Sequence, residues 1–536
     1  MIPLLGSRRR ACLLGAGVAV LALAEYGGAF AMFTDSTTAG PGSFQTGTLP
    51  TPGGLAVSNG GCSGGAAQTN VTSSWTGSSA LDGSGNYLVG GYSVLRSASS
   101  SGPYSSAGTV TGSPPPATYT DSSPSGATPP FVYVSAGSGA TTAQSINSST
   151  YGTATVTLSG AVGDEPNALQ VTPDGSKLIV AEGAAHQVQI VSTATGAVTN
   201  TVSIPAVGGT PSKPNAVAVN PTGTTAWIVD AANARVYPLS LATSTLGAAI
   251  SVGTQGDPTA MVVTPNGAQV FVADYGSHQV SAINTSTDGV TNIAIGGATG
   301  TPIALAATPN SGHVYVADQA NSQIDDIATA TDTVTTTLTL APSSLADGNF
   351  GGGGDPNILA ITPNGSKLYV ASYQGGTVED ITVASDTLAD TIALPPGGVD
   401  GAPDPNALAL TPNGCTLYVN DYDNNKVDVY AVSTDTIEGT PPPIGSTGDP
   451  IGMTATPNGA AVYVANYYDS TVSVISTSSN TVVDTPNTSG GGSSPYAIAI
   501  APSPYYYEVA GTHGGWTSAP SSPAMYSLGW NVGGWQ

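Results

Sequence analysis

An all-β fold is predicted for this chain, and three observations predict it. One proline-containing turn recurs along most of the sequence. The copies are spaced at the length of a four-stranded sheet. The segments between them alternate with the period of a strand, and none sustains a helical period.

The turn reads Thr172-Pro173-Asp174-Gly175, Asn220-Pro221-Thr222-Gly223, Thr264-Pro265-Asn266-Gly267, Thr308-Pro309-Asn310-Ser311, Thr362-Pro363-Asn364-Gly365, Thr411-Pro412-Asn413-Gly414 and Thr456-Pro457-Asn458-Gly459. Ala501-Pro502-Ser503-Pro504 is a degenerate eighth copy. Successive prolines lie 48, 44, 44, 54, 49, 45 and 45 residues apart. Helical repeats of about 33–34 residues do not fit these intervals, whereas a propeller blade of roughly 40–50 residues does. Pro at the second and Gly at the fourth position suit a type I turn.

Each unit has the same grammar. A proline opens a strand of small apolar residues, as in Pro405-Asn406-Ala407-Leu408. The turn follows, then an alternating strand such as Thr416-Leu417-Tyr418-Val419. A polar turn leads to a third strand, as at Thr471-Val472-Ser473-Val474, and a further turn to a Thr-rich fourth, as at Asn480-Thr481-Val482-Val483. Seven full units open near Pro166, Pro214, Pro258, Pro302, Pro356, Pro405 and Pro450. Residues 495–501 supply a lone first strand, and residues 131–158 supply pieces of the others. Joined, they make an eighth blade that pairs the terminal edges. An eight-bladed β-propeller is therefore expected, with seven blades as the alternative.

The second strands Tyr315-Val316-Ala317-Asp318, Tyr369-Val370-Ala371-Ser372, Tyr418-Val419-Asn420-Asp421 and Tyr463-Val464-Ala465-Asn466 resemble the YVTN-type β-propeller repeat of secreted and surface-layer proteins. The resemblance covers about residues 131–504 and implies a fold rather than an activity. Residues 50–130, with Trp75, the alternating run from Tyr87 to Arg96 and Thr118-Tyr119-Thr120-Asp121, resemble a fibronectin type III-like sandwich. Its last strands are expected either at Phe131 to Ala136 or, by preference, at Tyr505 to Ala510. The second choice inserts the propeller into the sandwich, with residues 505–536 forming a return strand and tail.

At the front, Arg8, Arg9 and Arg10 precede 14 apolar residues and the Ala29-Phe30-Ala31 site. Residues 1–31 read as an export signal and 32–49 as a linker. A retained N-terminal anchor is the competing reading. No other stretch reaches the length of a membrane span. The chain of 536 residues carries 33 acidic and nine basic side chains, a net charge of −24. That balance excludes nucleic acid, whose binding rests on Lys and Arg at phosphates. Three cysteines are too few for a disulfide framework, and Cys62 and Cys415 are expected to stay unlinked.

In a propeller, the loops entering the first strands and the turns between second and third strands share one face. Acids stand just before the opening proline at Glu165, Asp257, Asp355, Asp404 and Asp449. The second-to-third turns bring Asp274, Tyr275, Asp318, Tyr373, Tyr422 and Tyr467. The expected result is an acidic, Tyr-rich mouth. Carboxylates and carbonyls suit Ca²⁺, and Tyr rings suit sugar faces. Ordinary turn chemistry accounts for the same residues. Asp421, Asp423 and Asn425 resemble the start of a calcium loop but lack its Gly and distant Glu. No cofactor other than Ca²⁺ is expected.

His186 and His278 occupy equivalent turns, and no hydrolase, zincin or phosphate-loop motif occurs. The function read from these features is a secreted, non-catalytic binding or structural protein of the bacterial cell surface. Its partner would be a cell-wall glycan, a surface protein or a small ligand. A lactone or glycoside hydrolase or lyase, and a calcium-dependent adhesin, are the alternatives.

Overall fold

A computed structural model describes residues 53–59, 71–76, 91–97, 105–112, 115–121, 131–136, 142–158, 166–253, 257–340, 356–373, 375–395, 403–439, 442–444, 450–488, 494–500, 505–513, 516–517 and 524–526. It also describes two dipeptide strands, Ala11–Cys12 and Leu21–Ala22. The rest of the expected signal, the linker, Glu165, Asp355 and Asp449 lie outside the described residues. The described structure is all-β, with two single-turn 3₁₀ segments, Ala231–Asn233 and Tyr275–Ser277. No described helix is long and apolar enough to cross a membrane.

The chain divides into two compact units. The larger contains residues 127–504 and holds eight antiparallel sheets among the described residues. Blade 1 runs Pro166–Val171, Lys177–Glu182, Gln187–Ser192 and Val198–Ser203, hydrogen-bonded in that order. Blades 2 to 7 repeat this meander from Pro214, Pro258, Pro302, Pro356, Pro405 and Pro450. Blade 8 is built from both ends of the unit. Pro495–Ile500 is its first strand, pairing with Phe131–Ala136, then Thr142–Asn147 and Thr153–Thr157. First strands pack on one another in a closed cycle, from blade 1 through blade 7 to Pro495–Ile500 and back to Pro166–Val171. The ring thus leaves no terminal blade edge open.

Closure follows from burial on both faces of every second strand. In blade 1, Leu178 and Val180 pack toward blade 8, while Ile179 packs toward blade 2. In blade 6, Leu417 and Val419 pack toward blade 5, and Tyr418 toward blade 7. A strand whose neighbours must cover both faces cannot be stable in an isolated sheet. Each of the eight seams carries its own apolar core.

The recurring turn closes the ends of the blades opposite the opening prolines. Thr172 Oγ1 donates to Asp174 at 2.6 Å and accepts the Lys177 N–H at 3.0 Å, and Thr264, Thr308, Thr362 and Thr411 repeat the pattern. Gly414 sits at φ +69°, and a Cβ there would meet Pro363 Cδ of the preceding turn at 3.0 Å. Glycine is required at this position both by its backbone angle and by contact with the neighbouring blade.

In three of the four Tyr-Val strands the tyrosine is a rivet between blades; the buried Tyr463 hydroxyl has no hydrogen-bond partner among the described residues. Tyr315 donates to Asp386, Tyr369 to Asp435 and Tyr418 to Asn480, each at 2.6 Å and each in the next blade. All three rings are fully buried. Blades 1, 2 and 3 place Ile179, Trp227 and Phe271 at the same point, where no hydroxyl is offered.

Besides the dipeptide pair Ala11–Cys12 and Leu21–Ala22, the described residues of the smaller unit form two sheets. One orders Gly53–Asn59, Val71–Thr76 and Thr118–Asp121. In the other, Tyr505–His513 pairs with Gly91–Ser97, which pairs with Ser105–Thr111. Trp75 stacks edge-on against Tyr92 at 5.1 Å and both are buried. Phe131–Ala136, the other candidate for closing this unit, belongs to blade 8.

The rivet has a measurable consequence. Tyr369→Phe leaves the Asp435 carboxylate without its phenol donor. It should lower unfolding free energy by about 1.5–3 kcal/mol in denaturant titration, the range for a hydrogen bond to a charged group. An unchanged midpoint would remove the rivet from this account.

Candidate functional site at the loop end of the ring

Hydrogen bonds across the seams place the opening prolines at one end of the ring. Asn215 Nδ2 donates to the Pro258 carbonyl at 3.1 Å, and Thr259 Oγ1 to that of Pro302 at 3.3 Å. Asn420 Nδ2 reaches both Asn406 Oδ1 at 2.6 Å and the Pro450 carbonyl at 2.5 Å. The entry loops and the second-to-third turns therefore meet here.

Asp274, Asp318 and Asp421 do not form an exposed rim: all three are fully buried. Each ends a second strand and pairs with its blade's opening proline. Asp318 shows what the position does. Its Oδ1 accepts the Thr301 N–H of the entry loop at 2.8 Å, and its Oδ2 accepts the Asn321 amide of the following turn at 2.7 Å. Asp421 repeats this with the Asp404 N–H at 3.2 Å and Asn424 at 2.7 Å. Asp230 does so with the Lys213 N–H at 2.7 Å and Asn233 at 2.8 Å. In this setting the carboxylate is a clamp that satisfies donors which the turning backbone would otherwise bury unpaired.

A second buried polar residue stands seven positions after the last residue of each second strand in blades 1 to 7: Gln189, Tyr237, Ser281, Asp325, Glu379, Asp428 and Ser473. In three blades the two members touch. Gln189 donates to Glu182 at 2.8 Å, Ser372 to Glu379 at 2.7 Å and Asn466 to Ser473 at 2.9 Å. The sequence reading missed this pairing, though the seven-residue interval repeats in every unit.

In blade 6 both partners are carboxylates. Lys426 Nζ lies 3.3 Å from Asp421 Oδ2 and 3.2 Å from Asp428 Oδ2, and it also donates to the Pro395 carbonyl of blade 5 at 3.1 Å. Burial pushes Asp428 up to about 6, against the pull of Lys426. Burial raises Asp421 as well. The ammonium thus occupies Asp421, the first carboxylate of the calcium-like loop. Asp423 and Asn425 stay half-buried in the turn, with Asn425 at φ +48°. Among the described residues, no group of three His, Cys, Asp or Glu side chains is placed to hold a metal ion.

The remaining expected site residues spread around this end. Asp257 is exposed at φ +92°, with its N–H on the Ala231 carbonyl and its own carbonyl receiving the Tyr275 N–H. Asp404 is half-buried and receives the Tyr422 N–H in the same way. Tyr373, Tyr422 and Tyr467 are half-buried. Tyr275 and Tyr468 are 43% and 64% exposed, and Tyr467 and Tyr468 form an edge-to-face pair at 5.0 Å. Asp257 and Asp404 belong to blades 3 and 6, so they are not brought together as a reacting pair. His186 and His278 turn Nδ1 toward the Ser212 and Gly300 carbonyls of the next entry loops. Cys415 is disulfide-bonded, contrary to the expectation that it stays unlinked.

With this geometry in hand, comparisons define the class: the larger unit is a β-propeller. A family model described as "Lactonase, 7-bladed beta-propeller" matches residues 283–394 and 386–495. The dihydro-heme d1 dehydrogenase NirN, solved in complex with DHE, is 12% identical with a TM-score of 0.55, covering 69% of this chain and 75% of its own. Hydrazine synthase of Kuenenia stuttgartiensis is 20% identical with a TM-score of 0.45, covering 58% of this chain and 95% of its own. No curated protein matches. The NirN structure shares the fold. The matched family is seven-bladed, whereas the described sheets of the larger unit number eight.

Lys426→Met should cost about 3–5 kcal/mol at pH 8, because it strands two buried carboxylates. The sign of the pH dependence follows from Asp428. Its folded value, about 6, lies above that of an unfolded Asp. Its contribution is full below about pH 4 and is lost as pH rises through the folded value. The penalty of Lys426→Met should therefore shrink at pH 5, as read by thermal melts at both pH values. A penalty independent of pH would contradict the ion-pair account.

Proposed function

We propose that the chain is a secreted, non-catalytic binding β-propeller of the bacterial cell surface, taking a glycan at the loop end of its ring. The exposed aromatic surface of the second-to-third turns carries this reading. Tyr275 and Tyr468 present open rings there, and Tyr467 braces Tyr468 edge-on. Such rings offer flat apolar faces with a polar tip, the surface that stacks on a sugar. The carboxylates beside them are committed to clamping loops, which leaves them poor candidates for acid–base chemistry. Export fits the basic and apolar N-terminal segment. The disulfide at Cys415 fits an oxidising compartment. YVTN-type repeats and a fibronectin type III-like smaller unit accompany the reading, as modules of surface proteins.

A lactone hydrolase is the second reading, and the family match over residues 283–495 favours it. On that reading Asp404, half-buried at the entry to blade 6 and inside the matched region, is the candidate acid.

Two measurements separate the readings. Tyr468→Ala should weaken retention on purified cell-wall polysaccharide by about tenfold, the effect of losing roughly 1.4 kcal/mol at one aromatic contact. Equal retention of variant and wild type removes the glycan site from the Tyr467–Tyr468 turn. A screen of small lactones should show no hydrolysis above background by the wild type. Turnover that Asp404→Asn abolishes would establish the enzyme and displace the binding reading.

A further inference from the structure

The seven-residue pairing poses a specific question in blade 4. Its two members, Asp318 and Asp325, are both carboxylates, 0% and 2% exposed. They face the seam with blade 3, as do Val316 and Ile327 on the same two strands. In blade 6 the same arrangement encloses the Lys426 ammonium. The residue in Lys426's register position in blade 4 is Gln323, whose amide donates outward to Thr339 Oγ1 at 3.4 Å. No ammonium therefore reaches the pair among the described residues. Asp318 accepts the Thr301 N–H and the Asn321 amide, one on each oxygen. Asp325 Oδ1 accepts the Thr337 hydroxyl. Asp325 Oδ2 is buried without a hydrogen-bond partner.

Two buried carboxylates set diagonally on one face of paired strands cannot both keep their charge without a compensating positive group. We propose that Asp318 and Asp325 hold one proton between them, so that the seam between blades 3 and 4 is sealed when the pair is protonated and loosens when it is not. The proton resides on Asp325 Oδ2, the oxygen without another partner, and is donated to Asp318, each of whose oxygens retains a lone pair. It comes from solvent and returns to it, so no other reactant is needed. Burial and the Asp318 charge both raise Asp325, which agrees with the geometry. The surroundings supply no rival. Thr337 on the fourth strand is neutral, and Asp326 points to the opposite face, where it meets His313 and Thr335. From blade 3, His278 is turned to the Gly300 carbonyl beside Thr301, and the Gly296 backbone closes over Asp318.

The sign is fixed by the raised Asp325. Its stabilisation is present below the pKa of an unfolded Asp and is lost as pH rises through the folded value. Full-length protein and the isosteric variant Asp325→Asn are compared by thermal melting at pH 5 and pH 8. The amide supplies a permanent donor in place of the shared proton, while Oδ1 still accepts from Thr337. Asp325→Asn should melt higher than wild type at pH 8, by about 2 °C or more, and close to wild type at pH 5. An Asp325→Asn variant that melts lower than wild type at pH 8 and pH 5 alike would show that both carboxylates are ionised, and would overturn the proposal. So would a rise in wild-type melting temperature with millimolar CaCl₂ at pH 8 that Asp325→Asn abolishes, since a metal rather than a proton would then lie between them.

Discussion

The ring depends on burying both faces of each blade's second strand. A sheet whose Leu, Val and Tyr side chains point both ways is incomplete until a neighbour covers each side. Eight such sheets satisfy one another only by closing into a cycle, and blade 8 achieves this by pairing Pro495–Ile500 with Phe131–Ala136. The apolar seams supply the drive for closure. The Tyr rivets set how neighbouring blades register along their length.

Burial at the strand ends creates a second problem. Where the chain turns between blades, backbone N–H groups are carried inward without a sheet partner. The clamp carboxylates answer this, and they carry part of the chain's acidity into its interior. A net charge of −24 suggests a strongly anionic surface, yet ten acidic side chains are at most 3% exposed. Two lysines offset part of that buried charge at a single seam. Lys426 holds Asp421 and Asp428 near the loop end, while Lys367 holds Asp380 and Asp435 toward the other, at 2.8 and 2.7 Å. The seam between blades 3 and 4 has no such lysine, and the Asp318–Asp325 pair is left to proton chemistry.

What remains for recognition is the outer part of the turns. Tyr275, Tyr467 and Tyr468 occupy positions equivalent to residues that other blades devote to structure, such as Ala231 in blade 2, which is buried. Variation at these turns changes the surface without touching the clamp one residue earlier. A scaffold of this kind can alter its ligand while its seams stay constant.

Much of the architecture was legible in the sequence. The turn spacing, the period-2 strands and the unmatched pieces at residues 131–158 and 495–501 predict blades and their shared closure, because local turn and strand chemistry repeats in every unit. The candidate site was legible only in part. Asp before Pro and Asp at a strand end look alike in one dimension, and both read as rim residues. Tertiary structure separated them: Asp257 stays in solvent, while Asp318 and Asp421 turn under the entry loops, where only packing against the preceding blade excludes water. The sequence alone determined which side chains recur and at what interval. The fold decided which of them are paired, charged or exposed, since those properties depend on what the neighbouring blade places a few ångströms away.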